Sequence, residues 1–417
     1  MKLYLLVLTL AVYSTTFSQK TYAKNILDTL CSDRYAGRGY VDNGVGRSAD
    51  FIVNELKRIG VSTYKDESYL QDYTFGVNTF PYSIEVKLDD KTLEIGQDYL
   101  LNANSGTAQG IFNTVEYNSS NFYKGFVEPL NTEILIFNFT NLKDRDSISY
   151  FYQLAIQTAK HVPVIWITDT KMMYSVGRYS MNYPMITIDK KAYQECKEVS
   201  LKINNKYIAN YKNSNVIGYI PPAKKCKLKP TNYIVLSAHY DHLGKMGQVI
   251  FPGANDNASG VAMVLSMAKY YLKNQSEYGI VLCFFSGEEA GLVGSEYFVH
   301  HPYFKLKKVK FQLNIDIMGG ASEGITLVNG SVLKEYFALM ETINAENNYL
   351  PKVKKRGATA NSDHHHFTES GVPAFFIYSM GAVKNYHDIN DKAENTPLIN
   401  FDEVQSLLID FVERINF

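Results

Sequence analysis

Five short stretches of this chain carry residue types that bind metal ions or move protons. They are His239-Tyr240-Asp241-His242, Gly253-Ala254-Asn255-Asp256, Glu288-Glu289, Asp316 and Tyr386-His387. Imidazole and carboxylate are the usual zinc ligands of hydrolytic sites. No cysteine cluster accompanies them, because Cys31, Cys196, Cys226 and Cys283 are scattered, and this excludes a four-thiolate structural site. Two imidazoles with several carboxylates suffice to hold two ions about 3.5–4 Å apart with one carboxylate between them. A water held there is acidic enough to attack a carbonyl at neutral pH. The adjacent pair Glu288-Glu289 suits a division of labour. Neighbours in an extended segment point different ways, so one can bind metal while the other carries the proton. The competing account is a solvated acidic edge on a Rossmann-like fold.

These stretches follow segments that read as strands. Tyr233–Ala238, Gly279–Phe285 and Pro373–Tyr378 are apolar almost throughout, and Val309–Asp316 reads as a further strand. Helical patterns alternate with them at 259–272, 333–347 and 401–415. Strands apolar on both faces, alternating with helices, predict a mainly parallel sheet covered on both sides. The fold class is therefore α/β, a mostly parallel mixed sheet flanked by helices. In such sheets ligands bind beyond the carboxyl ends of the strands, which is where the polar residues gather. Nearer the N-terminus, helices are expected at 22–30 and at 49–59, the second closed by Gly60.

The chain has 417 residues, enough for two or three domains. Between about 100 and 206 the texture changes to short apolar runs, Ile134–Phe137 and Val164–Ile167, separated by polar loops and one helix at 149–160. No cluster of His, Cys and acidic residues falls there, so it reads as an accessory domain inserted into the main one. The organisation expected is a leader at 1–19, an N-terminal part of the main domain at 20–99, the insert at 100–206 and the main domain at 207–417. The leader reading rests on Met1-Lys2, an apolar run from Leu3 to Val12 and a small polar end, the pattern of an export signal. The run is too short to span a bilayer and no later segment reads as a span, so an exported protein, periplasmic or secreted, is expected. Lys plus Arg equals Asp plus Glu at 42 each, and no long basic run occurs, which argues against a nucleic acid partner. Export permits a Cys196–Cys226 disulfide, while Cys283, inside Ile280–Phe285, reads as a buried free thiol.

The five stretches, with Asn215-Val216-Ile217-Gly218, Ser362-Asp363-His364 and the 34–39 loop, resemble the M28 family of zinc peptidases. The resemblance covers about residues 210–415 and the N-terminal helices. It implies that His239, Asp256 and Asp316 hold one zinc and that Asp256, Glu289 and His387 hold a second, with Asp256 shared. It implies Glu288 as the general base, Asp241 as the residue orienting the His239 ring, and Tyr386 as a donor to the developing oxyanion. It also implies that the insert is similar to a protease-associated domain, and that the substrates are peptides cut at the N-terminal residue. Rival activities are a carboxypeptidase or dipeptidase, which needs a cation such as Arg178, Arg356 or Lys384 near the cleft. A glutaminyl cyclase and a non-catalytic binding module are further rivals.

Weaker signals have plainer explanations. Asp363-His364-His365-His366 reads as a loop supporting the site, because adjacent side chains cannot converge on one ion without a special turn. Asp363 is a candidate for contacting His387 or the backbone. His242 reads as structural or cleft-lining. Gly37-Arg38-Gly39 with Gly44 and Gly46 lacks the Gly-x-Gly-x-x-Gly spacing of a dinucleotide site and reads as a packing loop.

Overall fold

The computed structural model describes residues 20–64, 67–122, 130–223, 232–381 and 383–415. The expected leader at 1–19 and Cys226, with its optional pairing to Cys196, lie outside them. Two eight-stranded sheets organise the chain. The first runs in the order Leu70–Thr79, Lys206–Ile220, Gly279–Phe285, Tyr233–His239, Val309–Ile315, Ala374–Met380, Gly324–Val328 and Val353–Lys355. Its four middle strands are parallel, an antiparallel neighbour flanks them on each side, and the outermost Gly324–Val328 and Val353–Lys355 pair in parallel. The sheet is mixed with a parallel centre, as the apolar runs predict.

Alternation along the strands assigns the two faces. Ile234, Leu236, Ala238, Ile280, Leu282 and Phe284 join one core cluster with the helices at 20–30, Gly44–Ile59, Ser259–Lys273 and Phe401–Arg414. Tyr233, Val235, Val281, Cys283 and Phe285 join the opposite cluster with Phe298 and Phe367. A period of two sends neighbouring side chains to opposite faces, and both faces are covered. The middle strands therefore end side by side at one edge of the sheet. His239 lies opposite Phe285 in register, so the loop carrying Glu288 and Glu289 starts beside His239. Gly60 closes its helix in the left-handed region, φ 93°, with its N–H on the Leu56 carbonyl, as expected for a C-terminal cap.

Two expectations need correcting. The second sheet takes in Glu85–Leu88, Lys91–Thr92 and Tyr99–Leu101 besides strands up to Glu198–Ile203, so its material starts well before residue 100. Entry and exit lie side by side, Glu85 pairing with Lys202, and a local composition shift cannot show such a pairing. Lys206–Ile220, spanning the expected boundary, belongs to the first sheet from its first residue, Lys206 pairing with Thr79. The 363–366 run is no loop either: His364–Glu369 is a short helix, with His364 and Phe367 buried. The hairpin of Gly244–Met246 and Val249–Phe251 lies between the sheets, and its Met246 and Phe251 are core residues of the second one.

Candidate metal centre

The Tyr233–His239 strand delivers His239, and the Val309–Ile315 strand delivers Asp316. Between the hairpin and the Ser259–Lys273 helix, Gly253 turns with φ 64° and brings Asp256 under the sheet edge. A side chain at Gly253 would run into the His242 ring and the Asp256 carbonyl, so the turn needs glycine. The Asp256–Asn257 peptide is cis. Asn257 Oδ1 accepts from the Gly260 N–H at 2.8 Å and caps the helix start. Ser259 Oγ accepts from Met318 N at 2.7 Å and ties this turn to the loop after Asp316.

Asp256 uses both carboxylate oxygens. Oδ1 lies 3.2 Å from His239 Nε2, and Oδ2 lies 3.2 Å from His387 Nε2. Asp316 Oδ1 lies 3.4 Å from His239 Nε2, and Glu289 Oε2 lies 3.2 Å from His387 Nε2. The structure thus gathers {His239, Asp256, Asp316} on one side and {Asp256, Glu289, His387} on the other.

The tautomers test whether a metal fits. His239 Nδ1 sits 3.1 Å from the Asp241 main-chain carbonyl, and His387 Nδ1 sits 2.9 Å from the Tyr174 carbonyl. Carbonyls only accept, so each Nδ1 is the donor and each neutral ring presents a bare Nε2. Each bare Nε2 then faces two carboxylate oxygens. Acceptors facing acceptors at 3.2–3.4 Å need a cation among them. Ligands about 2.0 Å from a tetrahedral zinc are about 3.3 Å from each other, and the observed edges match. Asp316 Oδ1 is buried with no hydrogen-bond partner, which a coordinating oxygen requires. The residues fit zinc.

Without a metal, protons take the cation's place. Burial pulls the His387 imidazole down, but Glu289 and Asp256 raise it to about 11. Burial likewise opposes charge on His239, and the facing carboxylates, Asp316 first, hold it well above its usual value. Glu289 is driven down to about 2, the His387 charge outweighing burial. Glu288 behaves oppositely. Burial, reinforced by Glu289, Asp363 and Asp316, raises its carboxyl well above the usual range despite His239. It makes none of the imidazole contacts above and lines a cavity of about 280 Å³ with His239, Asp256, Asp316, Tyr386 and His387. A carboxylate of raised proton affinity on that wall suits a proton carrier. The Tyr386 ring stacks on the His387 ring at 3.9 Å, is 40 % exposed, and its phenol, raised by burial, keeps its proton.

Asp241 reaches the His239 ring through its main-chain carbonyl, its carboxylate standing 3.8 Å away. That carboxylate accepts instead from the Tyr40 hydroxyl at 2.8 Å and the Glu288 N–H at 3.3 Å, so it also fixes the Glu288 loop. Asp316 is held from behind by a buried polar chain. Gln312 donates to Ser237, Ser237 to Asn314, Asn314 to Ser362, and Ser362 reaches Asp316 Oδ2 at 3.4 Å. His242 donates Nδ1–H to Glu289 Oε1 at 2.8 Å and so holds a ligand carboxylate. Asp363 is buried and acts electrostatically on His239 and Glu288, and no hydrogen bond to His387 is found among the described residues.

Two residues that sequence reading did not single out brace the Asp256 loop. Arg38 is fully buried, and its guanidinium donates to the carbonyls of Tyr240, Pro252, Gly253 and Asp256 at 2.9, 2.6, 2.6 and 3.2 Å. Asp391 accepts from the N–H groups of Asn255 and Asp256 at 2.8 and 3.0 Å. One takes the loop's carbonyls and the other its amides. The signal available for Arg38 was a charged residue between two glycines, Gly37 and Gly39. Arg38→Met should lower stability by about 3 kcal/mol, the scale for stranding buried partners of a charge, as read from the urea midpoint. An unchanged midpoint would show that the loop stands without it.

Residues 215–412 match the model of peptidase family M28. The chain is 25 % identical over 344 residues to Aminopeptidase YwaD of Bacillus subtilis (strain 168), covering 75 % of this chain and 70 % of that protein. It is 29 % identical over 197 residues to a probable leucine aminopeptidase of Trichophyton verrucosum, covering 44 % of this chain and 49 % of that one. A zinc aminopeptidase structure from Bacillus subtilis superposes with a TM-score of 0.71 at 19 % identity over 94 % of each chain. An aminopeptidase from Aneurinibacillus sp. strain AM-1 gives 0.67 at 20 % identity, over 95 % of this chain and 93 % of its own. At those identities the two structures establish the shared fold. Residues 215–412, which hold all five candidate ligands, are a peptidase family M28 domain.

Proposed function

We propose that this protein is an exported two-zinc aminopeptidase that removes N-terminal residues from peptides. The observation that carries the reading is Asp256, whose two oxygens face two different bare imidazole nitrogens, each closed off by a further carboxylate. The Bacillus relative, named an aminopeptidase, supports the choice of the N-terminal end. Zinc, when bound in the two clusters, would supply Lewis acidity, polarising the scissile carbonyl, acidifying a water and holding the free amine.

The chain's own residues do the rest. His239, Asp316 and Asp256 form one side of the centre, and Glu289 and His387 with Asp256 form the other. Glu288 Oε takes a proton from the attacking water and hands it to the leaving nitrogen. Tyr386, wedged against His387 and still protonated, donates its hydroxyl to the oxyanion of the tetrahedral intermediate. Export rests on the N-terminal pattern alone.

A second reading, cleavage at a free C-terminus, draws on one observation. Arg356 lines the same cavity as His239 and Glu288 and offers a cation for a carboxylate. Arg178 is placed elsewhere, over the Phe75 ring. A peptide panel with each end free or blocked separates the two. Blocking the N-terminus should abolish hydrolysis, blocking the C-terminus should leave it, and a chelator should stop it. Cleavage of N-acetylated peptides with release of the last residue overturns the aminopeptidase reading.

A further inference from the structure

The loop at 169–184 connects two neighbouring strands of the second sheet, Val164–Thr168 and Met185–Asp189, yet it reaches the metal centre. His387 has φ 53°, a left-handed backbone that a residue with a side chain adopts only when its surroundings hold it. The loop supplies that hold. Tyr174 N–H donates to the His387 carbonyl at 3.1 Å, and the Tyr174 carbonyl accepts from His387 Nδ1 at 2.9 Å. Main chain and ring of His387 are thus gripped by one residue of the other domain. Three residues earlier, Lys171 Nζ donates to the Tyr386 carbonyl at 3.1 Å and pairs with Asp388 at 2.5 Å. The residues on both sides of His387 are therefore anchored by a single ammonium. Ile389 packs against the core of the second sheet. The Tyr174 ring is buried and meets the Phe251 ring at 4.9 Å, five residues before Asp256.

We propose that the inserted domain is a working part of the metal centre, and that Lys171 is a positioning residue that sets zinc affinity on the His387 side by anchoring the 386–388 backbone. The inference rests on the two-zinc reading above. Fixing the ring through Nδ1 keeps Nε2 bare and aimed at Asp256 and Glu289. Partners of this kind typically change metal affinity by about 10–100-fold when removed. An ordinary exposed ion pair would contribute about 0–1 kcal/mol and leave metal binding untouched.

The test compares wild type, Lys171→Met and Lys171→Arg as full chains. Each is stripped of metal, dialysed against buffered free zinc, and assayed for zinc per chain by elemental analysis. Wild type should take up two ions. Lys171→Met should keep one at wild-type affinity and bind the other about tenfold more weakly. Lys171→Arg, which keeps the charge and the donors, should restore most of the loss. Melting of the metal-free Lys171→Met protein within about 2 °C of wild type separates positioning from general unfolding. Equal zinc affinity in wild type and Lys171→Met overturns this inference alone, as does a metal-free melt that falls by much more. A wild-type chain that takes up no zinc overturns the two-zinc reading and this inference with it.

Discussion

Glu288→Gln should leave two zinc ions in place and lower kcat by about 10³-fold, within the range that positioned acid–base groups contribute. The substitution keeps the shape of the side chain and removes only its ability to carry a proton. Glu288 takes part in neither set of ligand contacts, so the metal shell has no reason to change. Its N–H still bonds to Asp241, so the backbone that also presents Glu289 stays where it is. The loss should fall on kcat rather than KM, because the group acts after the substrate is bound. Elemental analysis beside steady-state kinetics reads both quantities. A variant that keeps most of its turnover would move the proton to another group, and Asp363, buried close enough to act on Glu288 and raised to about 7 first by burial, would be the next to examine.

Asp256→Asn should do the reverse and empty the centre. Asp256 is shared by both clusters, and an amide cannot serve both. Its one oxygen would face a single imidazole, while its NH₂ would present hydrogens where a cation is needed. Zinc affinity should fall by more than the roughly 100-fold seen for groups that only support ligands, and hydrolysis should fall with it. A melting curve gives a reading independent of turnover. Zinc in excess of its Kd should raise the Tm of wild type by mass action and leave that of Asp256→Asn nearly unmoved. Retention of two tightly bound ions would show that the two imidazoles are served by separate sites.

The parallel centre of the first sheet was legible because strands buried on both faces leave long apolar runs. Gly279–Phe285 stands as read, and Tyr233–His239 differs by one residue. The candidate stretches stood out for a related reason, polar residues gathering after such runs, whereas the division of His239, Asp256, Glu289, Asp316 and His387 into two ligand sets came from the resemblance to the M28 family. Gly324–Val328 went unread although Gly319-Gly320 and Asn329-Gly330 bracket it, because five residues are short and its antiparallel pairing with Ala374–Met380 leaves no mark in composition. The supports of the site were hidden for a different reason. Tyr174 acts on the His387 ring through its main-chain carbonyl, and a carbonyl belongs to every residue type; Asp241, expected to orient His239, also does so through its carbonyl. Arg38 and Asp391 recognise backbone groups as well, so nothing near Asp256 in sequence points to them.

The hairpin that lies between the sheets has a bearing on how the molecule can be cut. Leu243, Met246 and Phe251 precede the metal loop, and all three are buried in the hydrophobic cluster of the second sheet. The second sheet leaves and rejoins the chain at adjacent strands, which invites excision of everything between them. Such a truncation would uncover an oily scar directly beneath Gly253 and withdraw the floor on which Asp256 rests. Minimal catalytic fragments are thus a poor route to a smaller enzyme, and trimming is better directed at the outer edge of the second sheet, around Lys91–Thr92.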